Sequence, residues 1–595
     1  MLLNQLNSQQ FHTAVIAGCQ ALMRQKLLLN KINLFPVADG DTGDNLSSTA
    51  HAIIELSSVQ HALKETIESI ADASIIGARG NSGLIFSQFF NAMAKQRWPS
   101  PKTLDFKSFA AALQQSVTEI FALVSHPVHG TMLTLIERLA FFSSEKQDSR
   151  SFAGVMGELL PLLKQQVEQT KESLAVLKKA NVVDAGALGF YFFIEGFTHF
   201  LQNPSMSLVV DPIDVTPMLE HSHVLSTHPE YRYCTEAVVK AEVIDSTKLL
   251  NFLQAQGDCA LVSGNERVCR FHVHTNHPQK IFTRLLDDYT ICYPKVDDMQ
   301  RQKEAQAPTR PKIALVTDSS ADLSQDLLDK YQIYQVPLNI QLDEHQLLDK
   351  YSFESDDFYQ HLHQFKHYPK TSSFSALLIE DKIAWLTQRY EHVLIICVSG
   401  AMSGVYTSFK TAARKYDNVT VIDSKTNSGA HGLLLDYAGE LINAQLDIET
   451  MIDLINEAIK TTFMFVVVQQ FKSMVRSGRM HKIGGFIAGL SQIKPIVSID
   501  ATGKGFLLSQ CLSSATSLKK LIKLVRDKIQ SANLILEEYS IVHADANNLA
   551  MQLAAMATET FNKPPRYIEP VSLAVGLHAG QGCVGLAVRM RKMNP

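Results

Sequence analysis

No CxxC pair occurs in this chain, and its eight cysteines are scattered. That scatter argues for reduced thiols and a cytoplasmic protein. No apolar stretch reaches the roughly 20 residues of a membrane-spanning helix. The opening MLLNQLNSQQ lacks the basic segment and apolar run of a secretory signal. Positive charge is not in excess: the net formal charge is −4 and no basic stripe occurs, so a nucleic-acid partner is not expected. Low-complexity segments and short repeats are missing. So are the GxxxxGK[ST] of a P-loop and the GxSxG elbow of a serine hydrolase. What remains is ordinary globular sequence, 595 residues at 46% hydrophobic and 19% charged. That composition supplies apolar side chains for several cores, and the length suits roughly three to four domains.

The densest chemistry lies in Asn33–Leu46, NLFPVADGDTGDNL. Asp39, Asp41 and Asp44 fall within six residues, separated by Gly40, Thr42 and Gly43. Asp and Gly are poor formers of both helix and strand, and Pro36 precedes them, so the stretch reads as a loop. Carboxylates this close call for a cation. Mg²⁺ takes one or two carboxylates plus phosphates, which makes a metal–nucleotide site the functional reading. Solvated carboxylates on an Asp/Gly turn are the plain alternative.

Residues 1–202 otherwise read as helix, in segments such as Phe11–Leu29, Thr66–Ile76 and Phe152–Lys178 with apolar residues at helical spacing. Three further signals punctuate them: GARGNSG at Gly77–Gly83, PVHGT at Pro127–Thr131 and VDAGALG at Val183–Gly189. GARGNSG opens a helix over Leu84–Met93, where backbone N–H groups and Ser82 can meet an anion. These four motifs, in this order, resemble the nucleotide-binding domain of dihydroxyacetone kinases, and more closely the N-terminal domain of bacterial fatty acid kinase. The resemblance implies an all-α, eight-helix barrel with ATP at one end and two Mg²⁺ ions. It makes Asp39 and Asp41 the metal ligands and Asn33 a third. Thr42 and Asn45 support the metal–phosphate loop, Ser82 and Gly83 contact phosphate, and Thr131 and Asp184 line the nucleotide pocket. Asp44 departs from the family pattern: it would add negative charge beside the phosphates, or else point to solvent.

Residues 222–302 read as a small α/β domain after a Pro-containing linker. TEAVVKAEV, CALVSG and VCRFHVHT read as strands and Ser246–Gln256 as a helix. On a strand the imidazoles of His272 and His274 share a face, and Cys234 stands on a candidate neighbouring strand. Two His and one Cys are a Zn²⁺ ligand set with a fourth position left over. Exposed strand histidines are the plain reading of H-x-H. YCTE followed by HVHT resembles the middle domain of fatty acid kinase, which implies that Cys234, His272 and His274 bind zinc.

Arg301–Pro311 is polar with two prolines and reads as a linker, drawn at 303–311. Beyond it, KIALVTDSS, HVLIICVSG and VTVIDSK each lead into an amphipathic helix, the pattern of a parallel sheet. The loops after them are rich in Ser, Thr and Gly. A triad of Ser403, His578 and Asp318 or Asp423 is conceivable, but no nucleophile elbow supports it. TDSSADL, PKTSSFS, VSGAMSGVY, VIDSKTNSGAHG, RSGRM and GLHAGQG resemble, in order, the motifs of the DegV family over 312–595. The resemblance implies a two-subdomain α/β fold around a buried fatty acid. Thr371, Ser403 and His578 would bind its carboxylate, and Arg479 would stand beside the acyl phosphate product. Val405 and Gln581 depart from the family pattern.

The expected molecule is multidomain: an all-α helical barrel, a small α/β middle domain and an α/β DegV-like fold of two subdomains. Its expected function is that of a fused fatty acid kinase, converting bound fatty acid and ATP to acyl phosphate with Asp39, Asp41 and Arg479 as catalytic residues. The alternatives are a non-catalytic lipid-binding or sensing protein with a regulatory nucleotide domain, and a kinase for a small polyol of the dihydroxyacetone type. The expected partners are the fatty acid, a second copy of the chain in a homodimer and a downstream acyltransferase of phospholipid metabolism.

Overall fold

The computed structural model describes residues 3–35, 40–122, 124, 127–148, 151–204, 230–362, 365–374, 376–469 and 493–593. Two compact units emerge, Met1–Lys303 and Glu304–Pro595.

The first unit begins with helices α1 (Ser8–Arg24), α2 (Lys26–Lys31), α3 (Thr42–Leu56), α4 (Leu63–Gly77), α5 (Gly80–Lys95), α6 (Phe106–Ala122), α7 (Met132–Glu145), α8 (Phe152–Ser173), α9 (Ala175–Ala180) and α10 (Ala185–Gln202). The helix α10, AGALGFYFFIEGFTHFLQ, is apolar all round and is buried along nearly its whole length. Helices α1, α3, α7 and α8 pack on it. Phe86, Phe89 and Phe90 of α5 meet Phe190 and Phe193 of α10 mostly edge to face, with centroids 5.0–6.5 Å apart. Each such pair adds about 0.5–1.5 kcal/mol beyond its area.

Two stretches read as loop are helical at their ends. The acidic stretch turns into α3 at Thr42, and GARGNSG turns into α5 at Gly80. The acidic residues suit a helix start once an acceptor caps it, because Asp44 in the first turn meets the positive end of the helix dipole. Low intrinsic propensity decides only helix interiors.

A four-stranded antiparallel sheet follows, in the order β4-β5-β3-β6 once the short strands β1 (Gln5–Asn7) and β2 (Thr103–Asp105) are counted. Its strands are β3 (Tyr233–Lys240), β4 (Asp258–Gly264), β5 (Val268–Thr275) and β6 (Thr290–Asp298). Register places Cys234 opposite His274 and Glu236 opposite His272. Side chains alternate along a strand, so Cys234, Glu236, Arg270, His272 and His274 share one face. Helices α4 and α5 pack on the sheet, and Leu261 of β4 closes a small cluster with Ala78 and Leu84.

In the second unit β7 (Ile313–Asp318), β12 (His392–Cys397) and β13 (Val419–Asp423), the three segments read as a parallel sheet, pair parallel. The strand β8 (Tyr334–Val336) extends that sheet. A small sheet holds β9 (Asn339–Leu342), β10 (His345–Leu348) and β11 (Lys370–Ser372). A six-stranded sheet, β16-β15-β14-β19-β17-β18, completes the fold and is antiparallel except for β17 with β18. Its strands are β14 (Thr462–Val467), β15 (Lys494–Ile499), β16 (Gly505–Cys511), β17 (Leu534–His543), β18 (Ile568–Pro570) and β19 (Val584–Lys592).

The stretch read as a linker is largely ordered. A helix covers Met299–Glu304, Arg301 is buried, Ala305 lies in the core of the second unit, and the Arg310 guanidinium donates to the Arg389 carbonyl at 2.7 Å.

Candidate functional site

Asn33 organises what is described of the acidic loop. Its side-chain oxygen accepts from the Thr42 N–H at 2.8 Å, the Thr42 hydroxyl at 2.6 Å and the Asp41 N–H at 3.2 Å. A flipped amide would point donors at donors, which fixes the oxygen toward α3. Asn33 therefore holds the start of α3. Thr42 is buried against it and supports the loop. Asp41 is aimed by Asn45, whose amide donates to Asp41 Oδ1 at 2.8 Å. Asp39 lies outside the described residues.

Asp44 turns to α2. Lys26 Nζ stands 2.5 Å from its carboxylate and the Asn30 amide donates at 2.7 Å. The extra charge is thus neutralised locally.

The acidic and glycine motifs meet at Gly80. Its φ is +57°, and a Cβ there would lie 2.2 Å from Asn45 Nδ2. Only glycine allows both the left-handed turn and this approach. Ser82 is half-buried in the first turn of α5. The Gly83 N–H is already bonded to the Arg79 carbonyl at 3.0 Å, and a Cβ on Gly83 would meet Thr49 at 2.8 Å. Gly83 therefore allows α5 to pack closely on α3.

Thr131 stands at the N-cap position of α7 without a side-chain cap, its hydroxyl donating instead to the Val128 carbonyl at 2.8 Å. Asp184 caps α10, accepting from the Ala187 N–H at 2.7 Å. Burial pushes the Asp184 carboxyl up to about 7 although backbone N–H groups of Ala187, Met132 and Gly186 oppose the shift. Its oxygens thus tie the starts of α7 and α10 together.

On the sheet, Cys234, His272 and His274 each offer a ligand atom within 4.8 Å of the others. The Nδ1 of His272 lies 3.1 Å from Glu236 Oε1, and that of His274 lies 3.2 Å from Asp258. A carboxylate on Nδ1 fixes the ring and frees Nε2 for a metal. The Nε2 of His272 is buried and makes no hydrogen bond. Burial lowers the His272 pKa, which favours the neutral, ligating imidazole. Burial and then Glu236 raise the Cys234 pKa well above the ordinary thiol range, so a bound cation would have to displace its proton.

Glu236 and Arg270 escaped the sequence reading. Both are buried, 3.0 Å apart. Burial alone would raise the Glu236 pKa, but Lys295, His272 and Arg270 outweigh it and hold the carboxyl well below its usual range. Arg270 also donates to the Ile76 carbonyl at the end of α4 at 3.2 Å, and Glu236 Oε1 accepts from the Gly80 N–H at 2.5 Å. The pair grips both sides of the α4–α5 turn with the charge each helix end favours. The sequence signal was faint: a Glu two residues from a strand Cys, and an Arg two residues from a strand His.

In the second unit an apolar cavity is lined by residues such as Leu338, Met464, Val497 and Val571. Thr371, Ser403 and His578 line it together. Thr371 Oγ1 lies 3.2 Å from His578 Nε2. A triad finds no support: Asp318 accepts from the Val398 N–H at 2.8 Å and from Ser320, while Asp423 accepts from Gly400, Lys425 and the Lys425 ammonium. Val405 is fully buried in the core and Gln581 bonds Asp545 at 2.7 Å, so neither departure from the family pattern lines the cavity. Arg479 lies outside the described residues.

Three family models match consecutive stretches: a DAK2 domain at 36–199, a middle domain of the fatty acid kinase type at 230–306, and the DegV family at 312–591. An uncharacterised protein of Staphylococcus epidermidis is 28% identical over 349 residues, covering 54% of this chain and 63% of its own length. One from Staphylococcus aureus strain USA300 is 29% identical over 342 residues, covering 54% and 62%. The chain thus spans less than two thirds of these curated relatives. A fatty-acid-binding DegV family protein from Thermus thermophilus aligns at 21% identity over 47% of this chain and 100% of its own, with a TM-score of 0.44. One from Streptococcus agalactiae aligns at 24% over 48% and 100%, with a TM-score of 0.43.

Proposed function

We propose that this chain, built of a DAK2 domain, a fatty acid kinase-like middle domain and a DegV domain, phosphorylates a fatty acid that it also holds. The observation that carries the reading is one chain with two chemistries. Asp41 is held beside the Gly80 helix start, and Thr371, Ser403 and His578 together line an apolar cavity.

The reaction joins a carboxylate oxygen of the fatty acid to the γ-phosphorus of ATP and breaks the bond to ADP, giving acyl phosphate. A carboxylate is already ionised at pH 7, its reference pKa being about 4, so the nucleophile needs no general base. Positioning and charge neutralisation are the remaining tasks. The hydroxyls of Thr371 and Ser403 and the imidazole of His578 orient the acid. Asn45 orients Asp41, and Arg479 attends the acyl phosphate. Asp39 and Asp41 are the groups that would hold Mg²⁺, which neutralises phosphate charge when bound. Zinc is proposed at Cys234, His272 and His274, supported by the carboxylate on each Nδ1 and the orphaned His272 Nε2.

Purified protein incubated with ATP, Mg²⁺ and oleate should yield hydroxylamine-trappable acyl phosphate, and Asp39→Ala should abolish it. Bound lipid with no turnover by the wild type across several chain lengths overturns the kinase reading. Zinc content unchanged in Cys234→Ala overturns the zinc assignment.

A further inference from the structure

We propose that Glu236 is a positioning residue that couples the Cys234/His272/His274 set to the glycine turn before α5, so that filling one site changes the affinity of the other. The proposal rests on the nucleotide-binding reading of the helical domain.

One carboxylate oxygen serves both places. Glu236 Oε1 accepts from the Gly80 N–H at 2.5 Å, faces His272 Nδ1 at 3.1 Å and lies 3.8 Å from the Cys234 thiol. The other oxygen is anchored by Arg270 at 3.0 Å, and Arg270 is itself anchored on the Ile76 carbonyl. Glu236 therefore cannot follow a movement of the His272 ring without changing what it offers Gly80. Gly80 abuts Asn45, and Asn45 aims Asp41. The line from imidazole to acidic loop is His272, Glu236, Gly80, Asn45, Asp41, each touching the next. Buried packing holds few intermediate arrangements, so a metal that fixes His272 also selects the arrangement of the turn.

The test measures the affinity of a non-hydrolysable ATP analogue, with Mg²⁺, for zinc-loaded and zinc-stripped protein. The wild type should show a difference of about fivefold or more, the lower range of site-to-site coupling. Zinc affinity measured with and without the analogue should change by the same factor, because linkage is reciprocal. In Glu236→Gln the factor should fall toward one, while each ligand still binds. A wild-type factor of one, or an undiminished factor in Glu236→Gln, overturns the proposal. A wild-type factor of one overturns the proposal even where the variant does not fold. Analogue binding without coupling overturns this inference alone. No analogue binding in either zinc state overturns the kinase reading as well.

Discussion

Thr371 Oγ1 and His578 Nε2, 207 residues apart in sequence, stand 3.2 Å from each other at the wall of one apolar cavity. Their polar atoms are the means by which that cavity would distinguish a carboxylate from a hydrocarbon end. Hydrogen bonds to charged groups contribute about 1.5–3 kcal/mol. Thr371→Val and His578→Ala should each weaken oleate binding about tenfold or more, read by displacement of a fluorescent fatty acid, with little change in binding of the corresponding alcohol.

Removing Arg270 should be costly. Arg270→Ala leaves the Glu236 charge buried beside fewer partners, and breaking such a pair typically costs about 3–5 kcal/mol. A melting transition of the first unit should fall by many degrees in thermal denaturation. A drop within error of the wild type would mean that Lys295 and Gly80 compensate Glu236 unaided.

Asp184 makes a pH-dependent contribution of definite sign. Its carboxyl, pushed up to about 7 by burial, binds a proton more tightly folded than unfolded. The associated stability is present below the ordinary carboxylate pKa and is lost as pH rises through about 7. Asp184→Asn keeps the cap acceptor without the ionisation. Its unfolding free energy relative to the wild type should therefore rise between pH 4 and pH 8, by a few kcal/mol (roughly 1.4 per pKa unit). Denaturant titrations at several pH values read this difference, and a flat difference contradicts it.

Gly80→Ala forces a left-handed φ on a residue with a side chain and drives its Cβ into Asn45. The conformational cost alone is about 1–2 kcal/mol. Nucleotide binding should fall further than stability does, since Asn45 must leave Asp41.

Asp44→Asn should do little. Its ion pair with Lys26 is about two-fifths exposed on each side, and such pairs contribute about 0–1 kcal/mol. ATP analogue affinity within twofold of the wild type is the expected result.

Much of this organisation was legible in the chain. Alternation placed His272 and His274 on one face of a strand, and Cys234 joined them through strand register. The parallel strands β7, β12 and β13 followed from apolar runs leading into helices. Other features depended on partners remote in sequence. Asp44 could not be assigned to Lys26, nor Asn33 to the cap of α3, because both depend on how α2 folds back on α3. Glu236 reads as one polar residue in a strand until Gly80 and Arg270 arrive beside it. The cavity lining was invisible for a different reason: Leu338, Met464 and Val497 have the composition of any core.

The contact between Gly80 and Glu236 also bears on inheritance. These positions lie 156 residues apart and on different sides of the break between the two domain matches. A chain that lost the carboxylate would need another acceptor for the turn, and one that gained a side chain at Gly80 would need to move the strand. The two positions should therefore change together or not at all, and an exchange of either domain between relatives should succeed only where the donor carries both.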